Sequence, residues 1–101
     1  MGLEKDILVK TTNEVLQRLG PYFKEAVEAY LRTKYDAGVE LIGDDPEEFY
    51  SALESLFGEF TANVFFSRLL SELGISVHYP LTGTSIVESI KSYVNTEDKT
   101  D

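Results

Sequence analysis

The amino-acid sequence predicts a mainly α fold, a compact bundle of four or five helices with or without a minimal pair of short extended segments. The length of 101 residues matches a single domain. Apolar residues recur at helical spacing in several segments of the chain. The chain contains no cysteine, so packing alone has to stabilise the fold. We therefore expect residues 1–95 to form one helical domain and residues 96–101, which lack apolar side chains, to form a frayed polar tail.

The first segment, residues 3–9, is compatible with a helical turn or with a short strand. Thr11 is followed three residues later by Glu14, a spacing typical of a capping box that starts a helix. Gly20 and Pro21 mark the end of this helix and the start of the next, because glycine closes helices and proline is tolerated in their first turn. The sequence thus predicts a helix that starts at Thr11.

The second helix is marked by a single apolar stripe. It is expected to end near Tyr35, because residues 36–38, Asp-Ala-Gly, do not favour a helix. Residues 39–43 then form a short apolar connection, which is either extended or a helical turn. The stripe consists of Tyr22, Phe23, Ala26, Val27, Tyr30 and Leu31.

The next two helices have the clearest boundaries. Asp45 can cap the first of them, Pro46 suits its first position and Gly58 can end it. The other, from Phe60 to Leu73, is the most apolar and is expected to lie across the centre of the bundle. The two stripes consist of Phe49, Tyr50, Leu53, Leu56 and Phe57, and of Phe60, Val64, Phe65, Phe66, Leu69, Leu70 and Leu73.

Residues 75–79 alternate apolar and polar side chains, as a half-buried strand does, and Pro80 follows them. Five residues cannot form a sheet alone, so this segment is either an isolated extended arm or the partner of residues 7–9. Ser85 and Glu88 have the spacing of a capping box for the last helix. The stripe of that helix consists of Ile86, Val87, Ile90, Tyr93 and Val94.

The chain is acidic, with 18 Asp and Glu, 9 Lys and Arg and a net charge of −9. The basic residues are scattered, which disfavours binding to nucleic acid and to anionic membranes. No segment has the pattern of a signal peptide or a membrane span, so we expect a cytoplasmic protein. Residues 44–60 contain no basic side chain and six acidic ones, namely Asp44, Asp45, Glu47, Glu48, Glu54 and Glu59.

No motif in the sequence specifies a reaction. His78 is the single histidine, so a site with two histidine ligands is excluded within one chain, and an ordinary structural role is the favoured interpretation. The acidic residues around Asp45 lack the spacing of an EF-hand loop, and helix capping explains them without a metal. We therefore expect no metal, no cofactor and no catalytic residue, and an enzyme is the less favoured class.

The segment from residue 45 to residue 73 combines an Asp-Pro helix start, an apolar stripe, a Phe-Gly helix end and a second stripe. The residues are Asp45, Pro46, Phe49, Leu53, Leu56, Phe57, Gly58, Leu69, Leu70 and Leu73. Together with its surroundings over residues 12–75, this pattern resembles a family of small archaeal helical domains described as signal-output domains. The resemblance implies a domain that stands alone or is attached to sensor modules, with a regulatory or interaction role and no assigned catalytic residue.

The leading hypothesis is a regulatory or protein-interaction domain that self-associates, because 6 Tyr and 6 Phe are many large side chains for so small an interior. The partner surface is predicted on the acidic helix, at Glu47, Glu48 and Glu54, or on the aromatic stripe, at Tyr22 and Tyr30. An acidic face favours a basic protein partner.

Two alternatives remain. A small-molecule sensor would hold an apolar or aromatic ligand between helices, in a pocket with hydroxyls from Tyr30, Tyr50 or Tyr79. An acidic mimic would occupy the binding site of a nucleic-acid-binding protein, and it depends on the same charge evidence as the leading hypothesis.

Overall fold

The computed structural model describes residues 3–76 and 81–95. Within these ranges the chain forms six helices and no strand, which confirms a mainly α bundle without extended pairs. None of these helices has the length and apolar character that a membrane crossing requires. The helices are α1 (Leu3–Leu19), α2 (Pro21–Tyr35), α3 (Leu41–Asp44), α4 (Pro46–Phe57), α5 (Glu59–Glu72) and α6 (Gly83–Asn95).

Helices α1 and α4 lie at the centre of the bundle. Helix α1 packs against α2, α3, α5 and α6, and helix α4 packs against the same four elements. Helix α5 packs mainly against α1, α4 and α6, and part of its surface faces solvent. The prediction that the helix from Phe60 to Leu73 crosses the centre is therefore wrong.

The core between α4 and α5 is aromatic. Phe66 is completely buried. Its ring centroid lies 5.0 Å from that of Phe65, 5.4 Å from that of Tyr50 and 6.1 Å from that of Phe49. The rings meet in edge-on or tilted geometries, which stabilise aromatic pairs beyond the burial of their area.

Helix α1 begins at Leu3 rather than at Thr11, so the predicted capping box is wrong. The following residue, Thr12, is completely buried in the helix interior, and its hydroxyl donates a hydrogen bond to the Leu8 backbone oxygen at 2.7 Å. Leu8 is also completely buried. Since most helical stability comes from packing of an apolar face, burial of Leu8 extends the helix through a segment whose own pattern is ambiguous.

The segments that were compatible with strands are helical or irregular. Residues 7–9 lie inside α1, so they cannot pair as a strand with residues 75–79. In the latter segment Ile75 and Ser76 have no regular structure, and the remainder lies outside the described residues. The connection after α2 folds into the single turn α3, which buries Ile42.

The boundaries of α4 agree with the prediction. The Asp45 carboxylate accepts a hydrogen bond from the Glu48 backbone N–H at 3.2 Å, and Pro46 occupies the first helical position. Gly58 ends α4 and also precedes the first residue of α5. Helix α2 ends at Tyr35, as predicted.

Helix α6 begins one turn earlier than its predicted capping box. The Ser85 backbone N–H donates to Thr82 Oγ1, and the Thr82 backbone N–H donates to Ser85 Oγ, both at 3.1 Å. Thr82 is therefore the capping residue, and Ser85 takes the reciprocal role that was assigned to Glu88. The two hydroxyls thus accept hydrogen bonds from backbone N–H groups at the helix start, which have no acceptor within the helix.

Candidate functional site

The structure places the three predicted glutamates on the exposed side of α4. Glu47, Glu48 and Glu54 are all exposed, and we call them the acidic surface. Glu47 and Glu54 share one side of the helix, because seven residues are almost two turns. Neither forms an ion pair with another described residue. Their charges are thus accessible to a partner.

A groove of about 460 Å³ separates α4 from α6 beside the acidic surface. Its walls carry the carboxylates of Glu47, Glu48 and Glu88 and one basic side chain, Lys91. In the described part of the chain, no group of three or more acidic or histidine side chains is arranged to hold a metal ion. On the α6 wall the charges of Glu88 and Lys91 offset one another, so the negative charge of the groove comes from Glu47 and Glu48 on α4.

Two tyrosines, the half-buried Tyr35 and the buried Tyr50, lie beneath the acidic surface. Burial raises the pKa of Tyr35 to about 12, and the hydrogen bond between its hydroxyl and Glu48 adds to the shift. Burial also raises the pKa of Tyr50, with smaller contributions from the charges of Glu54 and Glu59. Both hydroxyls are neutral at pH 7. Glu48 consequently links α4 to Tyr35 of α2 and also contributes to the negative charge of the surface.

Tyr22 lies far from Glu47, toward the other end of α4. Its neighbour Phe23 stacks on Phe57 at the end of α4, with ring centroids 4.2 Å apart. Glu47 lies in the first turn of the same helix, whose 12 residues span about 18 Å. Tyr22 is 84% exposed, but it does not form one patch with Glu47.

The tyrosines of the predicted ligand pocket do not meet within the described residues. Tyr50 is only 7% exposed, and its hydroxyl donates a hydrogen bond to Asn63 Oδ1 of α5 at 2.8 Å. Tyr30 lies on α2, where a hydrogen bond with Ser55 of α4 is the main cause that lowers its pKa. Ser55 and Tyr50 are about 140° apart around α4. Tyr79 and the single histidine lie outside the described residues.

An exposed apolar surface lies on α5, whose apolar side chains the sequence pattern placed in one wide stripe. Phe60 is 81% exposed and Val64 is 51% exposed. Successive residues are about 100° apart around a helix axis, so Phe60 and Val64 both point about 160° away from the middle of the buried side of α5. They therefore lie on the opposite side of the helix from Phe65 and Phe66. We call the surface around Phe60 and Val64 the α5 outer face. Its groove of about 590 Å³ is lined by Phe60, Asn63, Val64, Ser67, Arg68, Ser71 and Leu81.

A smaller cavity of about 270 Å³ lies beside the α5 outer face, between α1, α2 and α5. Two arginines stand at its rim and share one carboxylate. Arg18 Nη1 lies 2.7 Å from Glu72 Oε2, and Arg68 Nε lies 3.6 Å from the same oxygen. We call this cavity the arginine pocket. Its lining residues are Val15, Arg18, Leu19, Phe23, Thr61, Val64, Phe65 and Arg68.

Comparison with known proteins places this fold among archaeal domains. The crystal structure of PH0832 from Pyrococcus horikoshii OT3 is similar, with 31% sequence identity and a TM-score of 0.72, and the match covers 94% of this chain and 96% of that one. No curated protein matches the chain. A family model described as Nitrosopumilus output domain 5 matches residues 2–92. Because this match takes in nearly the whole chain and confirms the resemblance to signal-output domains, the chain belongs to the Nitrosopumilus output domain 5 family.

Proposed function

We propose that this chain is a regulatory protein-interaction domain that pairs with a second copy through the α5 outer face and offers its acidic surface to a basic protein. The observation that carries the proposal is the exposure of Phe60 and Val64, at 81% and 51%, on one side of a helix. Contiguous exposed apolar surface marks interaction sites. Membership of an output-domain family supports a role in which the domain acts by binding.

The charge distribution favours a second copy on the α5 outer face. Two chains that each carry a net charge of −9 repel one another, so they approach best where carboxylates are absent. None of the seven residues that line the groove of this face is acidic, and one of them, Arg68, is basic. Among the described residues, the lining of this face therefore presents no carboxylate to a like-charged copy.

The same face is self-complementary in an antiparallel pairing of two α5 helices. A two-fold axis beside Val64 brings Phe60 of each copy opposite Arg68 of the other, since each lies four residues from Val64. The guanidinium can then lie over the ring, which is an attractive cation–π geometry. Such a contact is isologous and closes after two copies. We therefore expect a dimer and not a filament.

Val64→Glu should weaken this self-association at least tenfold, because it places two carboxylates together at the axis. The measurement is the mass in solution by light scattering after size exclusion, over a wide range of protein concentration. Ile7→Glu is the matched control, since Ile7 is 41% exposed on α1. A parent chain whose mass stays at 11.4 kDa throughout, or a control that dissociates as much as Val64→Glu, would contradict the proposal.

The register can be tested in the same series. The chain contains no cysteine, so Val64→Cys introduces a single thiol. We expect mild oxidation to link two copies at this position, because a disulfide forms only when the two Cα atoms are within about 7 Å. Ser51→Cys, an exposed position on α4, should remain unlinked under the same conditions.

The acidic surface supports the second part of the proposal. Glu47 and Glu54 are exposed without an ion pair to any described residue. A field of one sign accelerates the encounter with a partner of opposite charge and makes the association dependent on salt. A basic protein is thus the partner that this surface fits.

Charge reversal tests this assignment. We expect the double variant Glu47→Lys and Glu54→Lys to lose the basic proteins that the parent chain captures in a pull-down at low salt, as identified by mass spectrometry. Glu48 is left intact because it accepts the hydrogen bond from Tyr35. The control variant, Asp6→Lys with Glu14→Lys, makes the same change in charge at exposed positions of α1. Equal capture by both variants would exclude the acidic surface.

A further inference from the structure

We propose that the arginine pocket binds a small aromatic carboxylate. The cavity of about 270 Å³ equals the volume of about nine water molecules in the liquid. That volume fits a single phenyl or indole ring with a short side chain and excludes a long lipid. The site adjoins the α5 outer face and shares Val64 and Arg68 with it.

The inner part of the pocket is apolar and already formed. Val15 and Phe65 are each 1% exposed, so they close the floor. Phe23 forms an aromatic wall, because its ring stacks on Phe57 with centroids 4.2 Å apart and lies 6.4 Å from Phe65. Leu19, which is 49% exposed, stands at the entrance. A flat ring is the shape that gains most from contact with such a wall.

The rim of the pocket supplies the charge that a carboxylate requires. Arg18 and Arg68 carry two positive charges against the one negative charge of Glu72, which leaves the cluster with a net charge of +1. Each guanidinium has five N–H donors, and each makes one contact with Glu72. Within the described residues, donors therefore remain for a second carboxylate, which arginine binds through paired hydrogen bonds.

The overall negative charge of the protein does not prevent this binding. The net charge of −9 disfavours the approach of an anion from a distance. At physiological ionic strength, however, charges separated by more than about 8 Å are largely screened when they are exposed. The two guanidiniums are in direct reach of a bound carboxylate and thus dominate its electrostatic energy in the pocket.

Phenylacetate and indole-3-acetate are suitable probes, with ligand binding followed by NMR through the Nε–H signals of the arginines and by titration calorimetry. We expect saturable binding of both acids. Phenylacetamide keeps the ring without the charge, and acetate keeps the charge without the ring. Both should bind at least tenfold more weakly, since each loses one of the two recognition elements.

Three substitutions separate ligand recognition from a structural role of the same residues. Arg18→Gln and Arg68→Gln should each weaken the binding of phenylacetate about tenfold or more. Glu72→Gln should tighten it, because the competing carboxylate is removed. If these residues had only a structural role, Glu72→Gln would weaken the binding of phenylacetate, because the rim loses the ion pairs that hold the two arginines in place. Arg32→Gln, at an exposed base of α2, should leave the affinity unchanged.

The proposal is overturned if neither acid binds up to about 10 mM, a concentration beyond millimolar dissociation constants. It is also overturned if phenylacetamide binds as well as phenylacetate, or if both arginine variants keep the parent affinity. The mass in solution is measured on the same samples. The two measurements are independent. Absence of probe binding counts against the ligand proposal, and a mass that stays at that of a monomer counts against self-association.

Discussion

Replacing Phe66 by alanine is expected to lower the free energy of unfolding by about 3 to 5 kcal/mol, the range found when a large aromatic side chain is removed from a core. Phe66 is completely buried, and its ring contacts those of Phe49, Tyr50 and Phe65 within 6.1 Å. The variant loses the burial of its own ring and leaves a cavity between α4 and α5. Urea denaturation followed by circular dichroism measures the change.

Phe60 provides the matched control on the same helix. Phe60→Ala removes an identical side chain that is 81% exposed, so we expect a change below about 0.5 kcal/mol. The experiment should be run at concentrations where the chain is monomeric. If Phe60→Ala costs as much as Phe66→Ala, the ring of Phe60 is buried within the monomer and the α5 outer face cannot be a free surface.

The second large effect is expected at Gly58, between α4 and α5. Its φ of 92° and ψ of 163° belong to a region that is accessible almost only to glycine, and other residues there cost about 1 to 3 kcal/mol. A Cβ at this position would meet no atom within 4 Å. The loss of stability in Gly58→Ala therefore has its origin in the backbone and not in a clash.

Gly38→Ala is the comparison for this prediction. Gly38 has no positive φ, and a Cβ there would meet only the end of the Glu40 side chain, at 2.7 Å. The exposed carboxylate of Glu40 can shift at the expense of the hydrogen bond that it accepts from the Gly38 backbone N–H at 3.0 Å. An exposed hydrogen bond contributes about 1 kcal/mol or less, so we expect a smaller loss of stability than at Gly58. Equal losses in the two variants, measured by the same denaturation experiment, would contradict the assignment of strain to Gly58.

The parts of the fold that were predicted correctly depend on local chemistry. Asp45 and Pro46 start α4 because a carboxylate beside a helix start and a proline in the first turn act through neighbouring atoms. Gly58 ends the helix for an equally local reason. The start of α1 was missed because Leu8 becomes a core residue only when other helices pack against it. The burial of Leu8 therefore decides where α1 begins, and the capping-box spacing at Thr11 does not.

The candidate surfaces divide in the same way. The exposure of Glu47 and Glu54 followed from their charge, since unpaired carboxylates are rarely buried. The grouping of Tyr30 with Tyr50 did not hold, because the packing of α2 and α5 on α4 directs the two hydroxyls to different partners. The pattern placed Phe60 in one stripe with Phe65 and Phe66, because its apolar character was counted without its angular position on the helix.

By itself the sequence determined a helical chain with well-marked turns, a strongly acidic segment and no disulfide, because propensity, capping and charge are properties of residues and their near neighbours. Only the tertiary structure decided that α1 and α4 are central, that one side of α5 stays exposed and that Arg18 and Arg68 meet at one pocket. Arg18 and Glu72 are 54 positions apart in the chain. Contacts over such separations arise from the way helices pack, which no local pattern encodes.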